Sequence, residues 1–279
     1  MKFTRSSLFL AGFYFCLILF WFTASCYYLF NGKLTSGSGL VGIKDVPYNF
    51  IFAFAYGLLP LYTGVMALKN AKKWGYFKSS MGKALVYFSI GLISWGLGEM
   101  IWSYYNFFLN QEIPYPSWSD VGFIFAYPLW AIGTFYLSQA TGVKYGLKNI
   151  AGRLLLITIP IFALLISYYL LVVIARQGVF AFEGGVLKIF FDLAYPIGDV
   201  IILTFAALVY GLSLNYLGGR FKIPVLITLL GFVANYIADF GFSYTTTVGT
   251  FYNGNWVDLM FATALFVMGF GLLNLDIND

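Results

Sequence analysis

Long apolar stretches alternate with short polar connections along the whole chain. Runs of spanning length fall at 7–30, 47–68, 84–109, 120–142, 154–175, 189–214, 223–244 and 256–275. About 20 apolar residues in a helix cross the roughly 30 Å hydrocarbon layer, so each run is long enough to span it. The pattern predicts an all-α integral membrane protein: eight transmembrane helices in a single membrane domain over 1–279, with the lipid bilayer as its principal partner.

The connections carry the charge, and they carry it on one side. Lys2 and Arg5 precede the first run. Lys69, Lys72, Lys73, Lys78 and Lys83 follow the second, Lys144, Lys148 and Arg153 the fourth, and Arg220 and Lys222 the sixth. These are twelve of the sixteen basic residues; only Lys33, Lys44, Arg176 and Lys188 fall on the other side. The positive-inside rule predicts both termini in the cytoplasm and a multi-pass place in the cell (inner or plasma) membrane. The net charge of +5 is thereby a topology signal, and no nucleic-acid partner is expected. The opening "MKFTR" resembles the start of a signal peptide, but the apolar run after it is long and lacks a small-x-small cleavage site, so an uncleaved anchor is expected.

Composition narrows the chemistry. Hydrophobic residues make up 61% of the chain and charged residues 10%, against about 25% charged in soluble domains. The absence of His excludes imidazole metal sites and bis-His haem. Cys16 and Cys26 stand ten residues apart in one predicted helix, roughly 15 Å, too far to pair with each other. No P-loop, dinucleotide glycine motif, zinc ligand set or Ser/His/Asp triad is present, and the seventh and eighth runs lack the mid-span lysine a retinal protein needs. No catalytic residue, metal or cofactor is predicted, and the chain is not expected to be an enzyme.

Two strings repeat. "GEMIWSYY" matches "IADFGFSY" with Glu99 on Asp239, and "WSDVGFIFA" matches "WVDLMFATA" with Trp118 on Trp256 and Asp120 on Asp258. The offsets are 140 and 138 residues, half the chain. Matched segments run in the same direction, which predicts a parallel repeat of four plus four helices, half-repeats 1–142 and 150–275, related by an axis along the membrane normal. Convergent aromatic-rich helix ends are the competing explanation.

Six of the eleven acids lie in or at the ends of the runs, all in the half predicted to be extracytoplasmic: Glu99, Asp120, Asp192, Asp199, Asp239 and Asp258. No basic residue lies at comparable depth in those runs, so each carboxylate needs a proton, a cation, or hydroxyl and amide donors. Spacing gives them companions: Trp95, Glu99, Trp102 and Asn106 form one helical stripe, Asp192, Tyr195 and Asp199 a second, while Tyr127 follows Asp120 by two turns and Asn235 precedes Asp239 by one. Pro128 and Pro196, each after a tyrosine, kink their helices. The candidate ligand-binding residues are therefore Glu99, Trp102, Asp120, Tyr127, Asp192, Tyr195, Asp199, Asn235, Asp239 and Asp258. Depth predicts that Glu99, Asp199 and Asp239 converge with Asn235 and Trp102 on one polar cavity. For Asp120, Asp192 and Asp258, near helix starts, capping is an equal explanation, and for Trp118 and Trp256 so is an interfacial belt.

At "PYPSWSDVGFIFAYPLW" the chain resembles a multi-helix membrane sensor region found ahead of GGDEF and EAL cyclic-di-GMP modules and histidine kinases. "LAYPIGDVIIL" and "ADFGFSYTTTVGTFYNGNWVDLMF" resemble its later segments, and the resemblance covers roughly residues 80–275. It implies a sensory input domain. Only "LDIND" follows the last run, so no output module is expected on this chain, and a separate signalling or membrane-complex protein is the implied partner. The expected function is a stand-alone sensor-like, ligand-binding subunit with an acidic-aromatic pocket on the extracytoplasmic side. A small-solute or ion-coupled transporter and a structural accessory subunit are the alternatives.

Overall fold

The computed structural model describes residues 3–30, 47–109, 113–178, 185–213 and 218–277. Lys2, Lys33, Lys44 and residue 214, at the end of the sixth predicted segment, lie outside the described residues. Within them the secondary structure is entirely helical: α1 (Arg5–Phe30), α2 (Pro47–Lys73), α3 (Ser80–Tyr104), α4 (Trp118–Ala140), α5 (Ile150–Ser167), α6 (Val186–Ser213), α7 (Lys222–Thr247) and α8 (Trp256–Leu273). Wider π turns prolong α3 over Tyr105–Leu109 and α5 over Tyr168–Ala175, and a single helical turn, Val143–Gly146, links α4 to α5. Eight helices among the described residues are long and apolar enough to cross a membrane, as the hydropathy pattern predicts.

Local chemistry sets the helix ends. Ser79 caps α3, its Oγ accepting from the Gly82 amide at 2.9 Å, and Asn255 caps α8 by accepting from Val257 at 2.9 Å. Gly142, with φ of 84°, supplies the left-handed residue that turns the chain after α4. Four helices hold an internal proline: Pro60 in α2, Pro128 in α4, Pro160 in α5 and Pro196 in α6.

Six helices close a ring. α2 packs on α3, α3 on α4, α4 on α6, α6 on α7, α7 on α8, and α8 back on α2. α1 lies outside against α2 and α8, and α5 lies outside against α6 and α7. These two outer helices keep most of their apolar surface exposed, as helices facing lipid do. The ring is filled by aromatic side chains rather than left open: Trp95 stacks on Trp130 with centroids 5.7 Å apart, and Phe232 meets both Trp130 and Phe88 at 5.6 Å. Since lipid tails are as apolar as these rings, close packing and interhelical hydrogen bonds hold the bundle rather than hydrophobic transfer.

The two ends differ. At one, the Thr4 amide donates to Asn274 at 3.1 Å, Asn70 and Trp74 donate to the carbonyls of Leu273 and Leu275, and Lys73 pairs with Asp276. The first and last described residues therefore share the end that carries Lys69–Lys83, the basic end. At the opposite end Trp21 Nε1 donates to the Gly254 carbonyl at 2.8 Å, tying α1 to the lead-in of α8.

Candidate functional site

Six carboxylates gather in the half of the bundle away from the basic end, and three of them, Glu99, Asp120 and Asp239, accept from a tyrosine on another helix. Tyr195, on α6 one residue before the kinking Pro196, donates its hydroxyl to Asp120 Oδ1 on α4 at 2.9 Å. The other oxygen of Asp120 accepts from the Ser117 amide at 2.7 Å and its hydroxyl at 3.0 Å. Asp120 thus serves as a first-turn acid of α4 and as the anchor of α6 together.

Deeper in the same wall, Tyr127 donates to Asp239 Oδ2 on α7 at 3.0 Å, and Asn235 Nδ2, one turn back, donates to the same oxygen at 2.7 Å. The carboxyl groups of Asp199 and Asp239 lie within hydrogen-bonding reach of each other. Asp199 and Asn235 are buried, whereas Asp239 remains partly exposed. Two carboxylates this close repel each other, so the pair calls for a proton or a cation between them.

Glu99 stands apart from that group. Tyr56 of α2 donates to Glu99 Oε2 at 2.8 Å, and the charge of Asp258 lies close enough to act on both. Asp258, the third residue of α8, accepts from the Gly254 amide at 2.5 Å. Trp95, one turn before Glu99, stacks on Trp130, and Trp130 touches Tyr127, so aromatic rings stand between the two acid groups. Trp102 takes a different role from the one expected: its Nε1 donates to Asn253 Oδ1 at 2.7 Å, holding the loop ahead of α8. The single cavity predicted for Glu99, Asp199 and Asp239 is thus two separate clusters. Depth along a helix places an acid in the right layer, but the direction it faces within the layer depends on the ring order. Nor does the described cavity, about 590 Å³, touch either cluster; Trp74, Met81, Thr141, Gly142, Tyr145 and Phe221 line it at the basic end.

Nearest the end surface, Tyr115 donates to Asp192 at 2.9 Å, and Arg176 and Lys188 each approach Asp192 at 4.0 Å. Asp192 is therefore charge-compensated, unlike the deeper acids, which form no ion pair among the described residues. Burial, followed by the bond to Asp192, pushes the Tyr115 hydroxyl above the usual phenol range, which keeps it a donor. Burial and the nearby Asp258 push the Tyr252 hydroxyl up as well. Sequence reasoning missed Tyr56, Tyr115 and Asn253, whose acid or indole partners lie on other elements. Trp118 and Trp256 are both exposed at their helix starts.

Among the described residues no group of three or more metal-ligating side chains occurs. An eight-helix bundle with buried, hydrogen-bonded carboxylates defines a multi-pass α-helical membrane protein. Comparison with protein-family models, curated proteins and solved structures finds no match to the chain.

Proposed function

We propose that this chain is a sensor-like subunit of the inner or plasma membrane that binds a small ligand in the acid–tyrosine layer, with that layer facing the extracytoplasmic side and both termini in the cytoplasm. One observation carries the reading: α4, α6 and α7 converge their polar side chains, Asp120–Tyr195 and Tyr127–Asp239–Asn235, in one half of the bundle only. In the other half the ring interior is lined mainly by Leu85, Phe88, Leu92, Leu229, Phe232, Met268 and Leu272, all buried, which favours a one-sided binding layer over a passage through the membrane. The shared basic end supports the orientation.

The parallel repeat belongs to the same proposal, and packing supports it. Under offsets of 139, 140 and 138 residues, α2 corresponds to α6, α3 to α7 and α4 to α8. The pairs Phe52–Tyr56 and Phe191–Tyr195 then coincide, and each tyrosine faces two coincident acids: Tyr56 faces Glu99 and Asp258, Tyr195 faces Asp239 and Asp120. Every buried position of α4 corresponds to a buried position in or just after α8. Among the six ring helices the contacts map likewise, α2–α8 onto α6–α4 and α2–α3 onto α6–α7, whereas the outer helices differ, α1 packing on α2 and α8 but α5 on α6 and α7.

The test uses purified protein in proteoliposomes and a panel of small solutes, including ethylammonium, guanidinium, betaine and glycerol. A solute that stabilises the wild type but not D239N, and that the vesicles do not accumulate, fits the proposal. Accumulation would make the chain a carrier. Stabilisation that survives both D239N and Y195F would remove the layer as the binding site.

A further inference from the structure

Matching the two proposed half-repeats by their offsets isolates a carboxyl, a phenol and an amide that have no counterpart of their kind. Asp199 corresponds to Pro60, Tyr127 to Leu265 and Asn235 to Trp95. All three surround Asp239. The matching acid, Glu99, keeps only the tyrosine that both halves possess. A bundle that needed the acids merely as struts had a working arrangement in Tyr56–Glu99, yet the second half adds a carboxyl, a phenol and an amide at one point.

A second observation concerns the amide. Asn235 is 3% exposed, and while its Nδ2 is held by Asp239, its Oδ1 has no partner among the described residues. An unsatisfied buried acceptor is destabilising unless something positive or hydrogen-donating reaches it. Beside it stand two carboxyls within hydrogen-bonding reach of each other and, among the described residues, without an ion-pairing side chain.

We propose that Asp199, Asp239, Asn235 Oδ1 and Tyr127 Oη form a binding site for a monovalent cation, sodium, which takes the place of the proton shared by the two carboxyls. This inference rests on the repeat and on the acid–tyrosine layer argued above. The exchange balances. One proton leaves the pair for water as one sodium ion enters, so the pair keeps a net charge of −1, steadied by the Tyr127 hydroxyl and the Asn235 amide. Oxygen donors alone suit a hard cation. Two carboxylates carry two negative charges, so only a monovalent ion can replace the single proton and leave the charge of the pair unchanged. Because protons and sodium compete for the same oxygens, binding weakens as pH falls. The groups facing the pair are Tyr127 from α4 and, acting over a longer range on that tyrosine, Tyr195 from α6; Tyr236, on α7, faces Asp199.

The experiment measures binding of radioactive sodium ion to the purified wild type, and thermal unfolding in NaCl against equal concentrations of KCl and N-methylglucamine chloride at pH 6 and pH 8. Expected are one sodium ion per chain, displaced at pH 6, and a midpoint raised by several degrees in NaCl at pH 8, as linkage requires of a ligand that binds the folded state. D199N and D239N should each lose the sodium shift, and E99Q should keep it. Identical midpoints in all three salts with no bound sodium would overturn the site, as would a sodium effect that E99Q abolishes and D199N retains. The wild-type binding measurement decides even if an aspartate variant fails to fold. Failure here with ethylammonium still bound in the layer would remove sodium and leave the receptor reading. Sodium bound at this pair and accumulated by vesicles would do the reverse.

Discussion

Tyr56 on α2 donates its hydroxyl to Glu99 on α3 at 2.8 Å, across a contact so close that a Cβ on the neighbouring Gly57 would come within 2.6 Å of Glu99 Cγ. The acid is buried, and among the described residues the phenol is its hydrogen-bond donor. That makes the pair an interhelical fastening, and such bonds within membranes contribute about 0.6 kcal/mol on average and up to about 1.7 kcal/mol. Y56F should lower stability by an amount in that range, read from unfolding in mixed micelles. E99Q still accepts from Tyr56 through its amide oxygen and should fold with nearly wild-type stability. A loss larger with E99Q than with Y56F would mean that the charge, not the bond, matters at this position.

The proposed topology gives a direct labelling pattern. Lys78, between α2 and α3, and Thr250, between α7 and α8, are exposed at opposite ends of the bundle. With Cys16 and Cys26 replaced by serine, a membrane-impermeant maleimide added to intact cells should modify T250C at once and K78C only after permeabilisation. Labelling of K78C from outside would invert the orientation and place the acid layer in the cytoplasm.

The eight helices were legible from hydropathy, because the length of an apolar run that spans is set by the bilayer. The layer in which Asp120, Asp199 and Asp239 lie was legible for the same reason. What each acid touches was not. Tyr56 is one of 22 tyrosines, and no acid lies on its own helix at helical spacing, so nothing local distinguishes it. The Phe52–Tyr56 and Phe191–Tyr195 pairs, 139 residues apart, were a signal of the same kind as the matched strings and would have pointed to it. Glu99 and Asp239 occupy matched positions in the proposed repeat, and a rotation about the membrane normal carries such positions to opposite sides of the ring. Equal depth therefore does not bring them together.

The capping assignments at the two matched helix starts predict a graded loss. Asn255 accepts from both Val257 and Asp258 amides, at 2.9 and 3.4 Å, and N255A should destabilise by about 1 kcal/mol, the usual worth of a cap. S117A removes one of two Ser117 contacts to Asp120 and leaves the backbone amide donating at 2.7 Å, so its effect should be smaller. Unfolding midpoints of the two variants, compared in one detergent, check the order.

Glycine gives the last prediction, because the proposed repeat requires close approaches to recur. A Cβ at Gly91 would stand 2.5 Å from the Trp130 ring, and one at Gly231, the matched position, 2.6 Å from the Met268 backbone; Trp130 and Met268 are themselves matched. Helices α3–α4 and α7–α8 therefore approach through glycine at corresponding points. In both, alanine forces the helices apart or displaces a fully buried side chain, and overpacking of this kind destabilises by about 1–3 kcal/mol. G231A should be the more severe, since helix backbone yields less readily than an indole ring. Gly211 in α6 is the control: its nearest side-chain atom would be 3.5 Å from an added Cβ, an ordinary contact, and helix propensity alone predicts G211A to be neutral or stabilising by up to about 1 kcal/mol. Thermal unfolding of the three variants decides the matter, and equal tolerance of G91A and G231A with the control would show that the helices do not meet as closely as these positions require.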